Sequence, residues 1–433
     1  MDITIVALSS GSVPSGVAVI RLSGPRSQQI CGLLCGSIPP PRKARLRGLK
    51  HPQSRLLLDE ALVLSFPAPN SFTGEDVVEL HCHGGRATVA VVLETVLDFD
   101  DVRLAEPGEF SRRAFENGRM DLTELEGLSD LIAAETENQR RGAVRQAGGY
   151  FRQRLDGWRD RIIRARAFLE AQFDFTDEED VQQDENRPFW SDVRKLQAEI
   201  QAELNKGKAG EIARVGLRVA LLGSPNSGKS SLLNALAQRD VAIVTDIAGT
   251  TRDVLEVSLN IDGQLVLVQD TAGIRDTLDP IEAEGIRRAY GAADEADVVF
   301  WLSAGGAEPA QPLSERVKLV HTKADLRGLS VGVKPLTISC RTPDGVRPIL
   351  NELSRLCSSL GDEFENTLIT RERHRTELEA CGSELNAALT ESLDVELRTD
   401  HLRRAGDAIG RLTGRIETDD LLDVIFSEFC VGK

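Results

Sequence analysis

Residues 223–230 read Gly223-Ser224-Pro225-Asn226-Ser227-Gly228-Lys229-Ser230, and this stretch decides the fold. It is a complete GxxxxGK[ST] loop with an apolar run, Leu217–Leu222, before it and a helical run, Lys229–Leu236, after it. The glycines let backbone N–H groups turn inward around phosphate oxygens, and the N-terminus of the following helix adds positive partial charge. In such a loop Lys229 reaches the β- and γ-phosphates and the Ser230 hydroxyl ligates Mg²⁺. The strand–loop–helix context separates it from a glycine-rich turn that matches by chance.

Around this loop, residues 216–360 alternate strand and helix: Leu217–Leu222, Lys229–Leu236, Val254–Ile261, Gln264–Gln269, Pro280–Ala292, Val298–Leu302, Val317–His321, Pro335–Ser339 and Pro343–Leu360. That alternation predicts a parallel-sheet α/β domain. Asp270-Thr271-Ala272-Gly273 ends one strand, where the carboxylate can hold Mg²⁺ through water and the glycine N–H can meet a γ-phosphate. Thr322-Lys323-Ala324-Asp325 follows another strand, and its aspartate can accept both the N1–H and N2–H of guanine, which adenine cannot offer. Ser339-Cys340 follows the last strand, placed to line the base. Together these resemble the G motifs of translation-factor-type GTPases, and they favour GTP over ATP. Two departures stand out: Thr322 where Asn is usual, and Cys340 where Ala is usual. Ser303–Glu315 is short and Gly/Pro-rich where this fold usually places a helix.

Thr245-Asp246-Ile247-Ala248-Gly249-Thr250-Thr251-Arg252-Asp253 fits a first switch segment, with Thr251 as a Mg²⁺ ligand. Ile274 stands where Ras-like proteins carry a water-orienting glutamine, so another group must orient the water. The expected nucleotide contacts are residues 226–231, including Ser231, with the switch residues 245–251, Asp270 to Gly273, Thr322, Lys323 and Asp325.

Composition bounds the rest. A chain of 433 residues holds two to four domains at about 150 residues each. Hydrophobic residues are 41% and charged residues 28%, enough for real cores. Acids outnumber bases 68 to 52, a net charge of −16, which argues against a blanket electrostatic grip on nucleic acid or anionic membrane. Aromatics at 4% argue against a stacking platform for single strands. No apolar run approaches the ~18 residues of a membrane span, and Met1–Ser10 lacks the features of a secretory leader. Seven irregularly spaced cysteines point to reduced thiols in a cytoplasmic protein.

The flanks differ in texture. Residues 1–115 are mixed β/α, with β-branched runs Thr4–Leu8 and Val17–Leu22, and the basic stretch Arg42–Arg55 reads as a solvated loop or edge. Leu122, Leu125, Leu128, Leu131 and Ile132 repeat at helical spacing, and an Arg-rich helical segment, Arg140–Arg166, follows. Phe168, Phe173 and Phe175 precede the acidic run Asp177–Asp180 and a further helix, Phe189–Leu204; Gly207 and Gly210 mark a hinge. The chain is helical again after Glu363, so the α/β module reads as an insertion into a helical domain. His81-Cys82-His83 places both histidines on one strand face, which invites zinc, but no further ligand lies nearby and a packed strand is the better reading; Cys31 and Cys35 read as helix-core residues.

Asn226, the Thr245–Asp253 segment and the last four residues, Cys430-Val431-Gly432-Lys433, resemble the tRNA-modification GTPase family, as do Ser71–Asp76 with Gly85 and Pro107–Phe110 with Asp121-Leu122. The resemblance covers almost the whole chain. It implies a three-part architecture: an N-terminal α+β folate-binding and dimerising domain (1–118), a discontinuous helical domain (119–212 and 362–433) and an inserted Ras-like G domain (213–361). It further implies a K⁺ ion where an arginine finger would sit, with Asn226, Thr245, Ile247 and Thr250 as ligands. The family's water-orienting acid aligns with Glu282, although Asp279-Pro280-Ile281-Glu282 is also a capping box and the two roles can coexist. Arg252 and Arg275 read as salt-link residues.

A GTPase alone has no need of residues 1–115 or of a terminal Cys-x-Gly-Lys. The resemblance implies a reduced folate, the one-carbon donor, contacted by Arg21, Glu79, Arg119 and Lys433, with Arg119 standing where Lys is commoner. Cys430 is the second catalytic candidate, with Lys433 able to lower its pKa. The implied activity is K⁺-activated GTP hydrolysis that drives modification at C5 of the wobble uridine, U34, of tRNA, as an aminomethyl or carboxymethylaminomethyl group. A FAD-containing partner, MnmG, completes the assembly. A ribosome-assembly GTPase would need a basic RNA-binding domain, which this acidic chain does not show. A non-catalytic GTP-binding scaffold would not need intact Lys229, Ser230, Thr251 and Asp270.

Overall fold

A computed structural model of the chain describes residues 3–174, 188–206, 208–243, 256–270, 295–305, 316–333, 335–390, 392–416 and 432. The chain divides into two compact units, Met1–Ser129 with Gly410–Lys433, and Asp130–Ile409.

In the first unit the elements run β1 (Thr4–Leu8), β2 (Ser15–Ser23), α1 (Ser27–Cys35), β3 (Arg45–Lys50), β4 (Leu57–Phe66), β5 (Val77–Gly84), α2 (Arg86–Leu97), β6 (Val102–Leu104), α3 (Glu109–Glu116) and the start of α4 (Leu122–Ala133). The six strands form one sheet in the order β3-β4-β5-β2-β1-β6. Because successive strand residues point to opposite faces, one face collects the apolar half of each strand. Ala18, Ile20 and Leu22 of β2 and Val78, Leu80 and Cys82 of β5 pack there with Ile30, Cys31 and Leu34 of α1 and Val89, Val92 and Val96 of α2. The opposite face carries Arg21, Glu79, His81 and Leu62, brought side by side by the register Arg21↔Glu79 and Leu62↔His81. His81 and His83 share that face as the sequence requires, each beside an acid: His81 Nε2 lies 3.2 Å from Glu79 Oε2 and His83 Nδ1 lies 2.7 Å from Asp59 Oδ1. Among the described residues no cluster of metal-ligating side chains forms. The basic stretch 42–55 holds β3, an edge strand.

In the second unit α5 (Glu137–Ala147), α6 (Tyr150–Asp174), α7 (Pro188–Leu204) and α8 (Ala209–Val215) precede the nucleotide-binding sheet. The Arg-rich run is therefore two helices. Gly149, at φ 80°, takes a left-handed conformation that ends one before the next begins. Helices α6 and α7 are joined by Trp158 Nε1 donating to Glu199 at 3.0 Å and by Arg161 binding Asp192 and Glu199. Gly210 is no swivel: it lies inside α8, and a Cβ there would come within 2.0 Å of the Ile369 carbonyl oxygen. Glycine is required because helix and backbone touch.

The sheet is built from β7 (Leu217–Gly223), β8 (Glu256–Ile261), β9 (Gln264–Asp270), β10 (Val298–Ser303), β11 (Val317–His321), β12 (Gly332–Val333) and β13 (Leu336–Thr337), in the order β12-β13-β11-β10-β7-β9-β8. Helices α9 (Lys229–Ala237), α10 (Ala324–Arg327) and α11 (Arg347–Asn366) accompany it. The purely parallel expectation holds for the centre, but β8 runs antiparallel to β9 and β12 antiparallel to β13. Only Asp262 and Gly263 separate β8 from β9, too few residues for a crossover. The expected strand Pro335–Ser339 contracts to Leu336–Thr337, and the helix expected from Pro343 starts at Arg347, because Thr342–Gly345 closes a turn through a 3.1 Å bond from the Gly345 amide to the Thr342 carbonyl. Helices α12 (Glu372–Ala388) and α13 (Val395–Thr413) follow, α12 packing on α7. The helix expected over Pro280–Ala292 lies outside the described residues, as does most of Ser303–Glu315.

Candidate functional site

The phosphate loop grows directly out of the sheet. Gly223 ends β7 at φ 147°, and a Cβ there would sit 2.4 Å from the Leu302 carbonyl oxygen of neighbouring β10, so only glycine lets the chain leave the sheet here. Asn226 and Gly228 also take positive φ, at 62° and 102°, and the loop closes onto α9. Lys229, the first residue of α9, folds back so that Nζ donates to the carbonyls of Gly223 at 3.0 Å and Ser224 at 3.3 Å. Burial draws its pKa below the ordinary lysine value, outweighing the opposing pull of Asp270.

β7 and β9 are parallel with Leu221 opposite Asp270, which sets the carboxylate beside the loop. The Ser230 hydroxyl donates to Asp270 Oδ2 at 2.8 Å, and Asp270 Oδ1 is buried with no hydrogen-bond partner among the described residues. A hydroxyl oxygen and an unsatisfied carboxylate oxygen are the hard donors that Mg²⁺ takes, so the residues present fit that ion.

The base-reading end is tied to the loop by the residue that departs from the usual motif. Thr322 is 2% exposed, and its hydroxyl donates to the Ser227 carbonyl at 2.6 Å. The side chain that replaces asparagine thus still braces the loop. Lys323 turns the chain at φ 56°, and Asp325 follows on α10 with Oδ1 accepting from the Ser339 hydroxyl at 2.7 Å. Ser339 fixes the carboxylate that would read guanine. Burial raises the pKa of the neighbouring Cys340 thiol, and Asp325 adds to the effect.

Several expected residues lie outside the described ones: Thr245 to Thr251, Thr271, Ala272, Gly273, Glu282, Cys430 and Lys433. The proposed K⁺ ligands other than Asn226 are among them.

A second constellation occupies the sheet face of the first unit opposite α1 and α2. Arg21 Nε and Nη2 both bind Glu79 Oε1, at 3.0 and 2.9 Å, and Glu79 Oε2 meets His81. The Arg21 guanidinium lies over two aromatic rings, 5.5 Å from the centroid of Phe72 and 5.7 Å from that of Phe110. Arg119 is exposed and its stem lies against Gly74, where a Cβ would come within 3.2 Å of it. Beside this face, Gly432 is buried, and its carbonyl accepts from Ser9 Oγ at 2.8 Å and from Arg21 Nη1 at 3.5 Å.

Beneath it runs a buried charge network assembled from distant parts of the first unit. Arg113, 2% exposed, donates to Glu75, to Glu109 and to the Ile3 carbonyl, while Arg103 grips Glu109 at 2.6 Å and Ser23 donates to Glu75 at 2.7 Å. Its donors and acceptors come from the residue before β1, from β2, the loop before β5, β6 and α3, so apart from the i,i+4 pair Glu109–Arg113 no local spacing betrays it.

Comparison with known proteins adds the family. Residues 4–119 match the family described as the GTP-binding protein TrmE N-terminus, and residues 122–430 match the MnmE helical domain. The tRNA modification GTPase MnmE of Rhizobium johnstonii is 48% identical over 445 residues, covering 99% of both chains, and that of Agrobacterium fabrum is 47% identical over 437 residues with the same coverage. With both family matches and near full-length identity in hand, the chain belongs to the MnmE family of tRNA modification GTPases.

Proposed function

We propose that this chain hydrolyses GTP and that hydrolysis drives the modification of U34 at C5 in tRNA, in assembly with a FAD-containing MnmG partner. The observation that carries the GTPase reading is the meeting of Lys229, Ser230 and Asp270 at the C-terminal ends of β7 and β9, with Thr322 joining that group to the loop bearing Asp325. The loop amides and Lys229 neutralise the β- and γ-phosphates, Lys229 exchanging its two carbonyl partners for phosphate oxygens. Ser230 and Thr251, with Asp270 acting through water, would hold Mg²⁺, which would supply charge neutralisation at the β- and γ-phosphates. Asp325 selects guanine by accepting its two N–H groups.

The cation at the γ-phosphoryl is K⁺ in this reading, held by Asn226, Thr245, Ile247 and Thr250, and Glu282 orients the attacking water. The N-terminal domain, 1–118, binds a reduced folate as one-carbon donor and makes the homodimer; the helical domain is 119–212 with 362–433, and the G domain is 213–361. Glu79 is the acceptor a pterin's N–H groups require, and Arg21 suits a folate's anionic groups; Arg119 and Lys433 complete that contact set. Cys430 acts with this set, and the reading is supported by Gly432, two positions further on, whose carbonyl accepts from Arg21. The protein works in the cytoplasm; among the described residues no helix is long and apolar enough to cross a membrane.

The test pairs hydrolysis with product. Ser230→Ala should abolish GTP turnover and, in cells, remove the C5 modification from tRNA nucleoside digests, whereas Cys430→Ser should leave turnover intact and remove only the modification. Full modification in the Ser230→Ala strain would contradict the coupling of the two.

A further inference from the structure

Within the second unit, away from the phosphate loop, a cavity of about 510 Å³ opens between α5, the start of α6, α8, the turn joining β8 to β9 and residues 367–370. That is the size of a small-molecule pocket, and it lies where two substructures meet, a common place for one. Its walls include the chain that enters the nucleotide-binding sheet, through Arg214, and the chain that leaves it, through Thr370. These are already bonded to each other, Arg214 Nε donating to the Thr370 carbonyl at 3.0 Å, while Gln139 Nε2 donates to the Arg214 carbonyl at 2.7 Å.

The lining has a definite chemistry. Three arginines, Arg141, Arg145 and Arg214, stand against two aspartates, Asp130 and Asp262. Asp130 is itself gripped at 2.8 Å by Arg371, which lies outside the lining, and lies 3.7 Å from Arg214, so arginines outnumber aspartates in and around the cavity. Arg145 lies over the Tyr150 ring, its Cζ 4.3 Å from the ring centroid, and the pair offers planar groups against which a ligand ring can stack. Gln264, 1% exposed, uses Nε2 to donate to the Ile212 carbonyl at 3.0 Å, while its Oε1 has no partner among the described residues and can accept from a ligand N–H.

We propose that this cavity binds a small anionic molecule with a planar, N–H-bearing ring, of nucleoside-monophosphate size, distinct from the GTP held at the phosphate loop. Adenosine monophosphate is the probe, because adenine lacks the N1–H and N2–H pair that Asp325 reads, and prior saturation with GDP keeps the phosphate loop filled. Titration calorimetry on the full-length GDP-bound protein should show saturable binding of the probe, with inorganic phosphate alone binding about tenfold more weakly or worse. Gly142→Trp enters the cavity from a position where an added Cβ meets nothing within 4 Å, and it should abolish the binding while GDP affinity is retained. Arg145→Ala should weaken it about tenfold. No heat at millimolar probe, phosphate binding as tightly as the probe, or probe binding unchanged in Gly142→Trp would each overturn the assignment.

Discussion

The Ser9 hydroxyl donates a 2.8 Å hydrogen bond to the carbonyl of Gly432, 423 positions further along the chain. Gly432 can sit there only as glycine: its φ is 96°, and a Cβ would lie 2.4 Å from the Leu8 carbonyl oxygen and 2.9 Å from Ser9 Cα. Gly432 is thereby seated beside Arg21, on the face that carries Glu79 and His81.

Gly432→Ala should unseat this contact at a local cost of about 1–2 kcal/mol, the penalty for a side chain in left-handed backbone. The readout is carboxypeptidase trimming, about tenfold faster than for the parent. GTP turnover should be unchanged and wobble-uridine modification reduced. Unchanged trimming would show that the seat contributes nothing.

Thr322→Val keeps the shape of the side chain and removes its hydroxyl. The Ser227 carbonyl, in a residue fully excluded from solvent, then loses its 2.6 Å donor, at a cost of about 1–3 kcal/mol. Fluorescent-GDP titration should show affinity about tenfold weaker. Thr322→Asn, which restores a donor, should recover most of it.

Asp325→Asn replaces one of two acceptors by a donor. Affinity for GTP should fall about a hundredfold, and that for xanthosine triphosphate, whose O2 accepts a hydrogen bond, should rise above it. Competition binding with both nucleotides measures the exchange. Ser339→Ala, which frees the Asp325 carboxylate from its 2.7 Å bond, should shift the ratio in the same direction by a smaller factor.

Glu109 supplies a pH dependence. Burial pushes its pKa up, but hydrogen bonds from Arg103, the Glu106 amide and Arg113 outweigh that and hold it below its ordinary 4.5. A carboxyl depressed in the folded state gives stability that is complete above the unfolded value and is lost as pH falls through the folded one. Thermal melts of the parent should therefore weaken from about pH 4.5 downward. Glu109→Gln should cost about 3 kcal/mol at neutral pH and flatten that acid limb. An equally steep acid limb in the variant would place the titration elsewhere.

These contacts also mark what a sequence can disclose. The β7–loop–α9 segment was legible because phosphate chemistry demands glycine, lysine and serine at fixed local spacing. The two faces of β5 were legible from the alternation of His81, Cys82 and His83. Arg113 was not: its partners Glu75 and Ile3 lie 38 and 110 positions away, and a charged residue on a polar helix looks exposed until the fold surrounds it. Thr322 looked like a weakened motif because its acceptor, Ser227, is 95 positions distant. Gly210 looked like a hinge because a glycine needed for flexibility and one needed for close approach are identical in sequence. The antiparallel β8–β9 edge is set by the two-residue turn at Asp262-Gly263, which the alternation of strands and helices does not reveal.

The most direct test is the rate of GTP hydrolysis by the full-length protein in KCl against NaCl at equal ionic strength, with Asn226→Ala alongside. Turnover at least about tenfold faster in K⁺, with the advantage lost in the variant, is the predicted result. Equal rates in the two salts would contradict it.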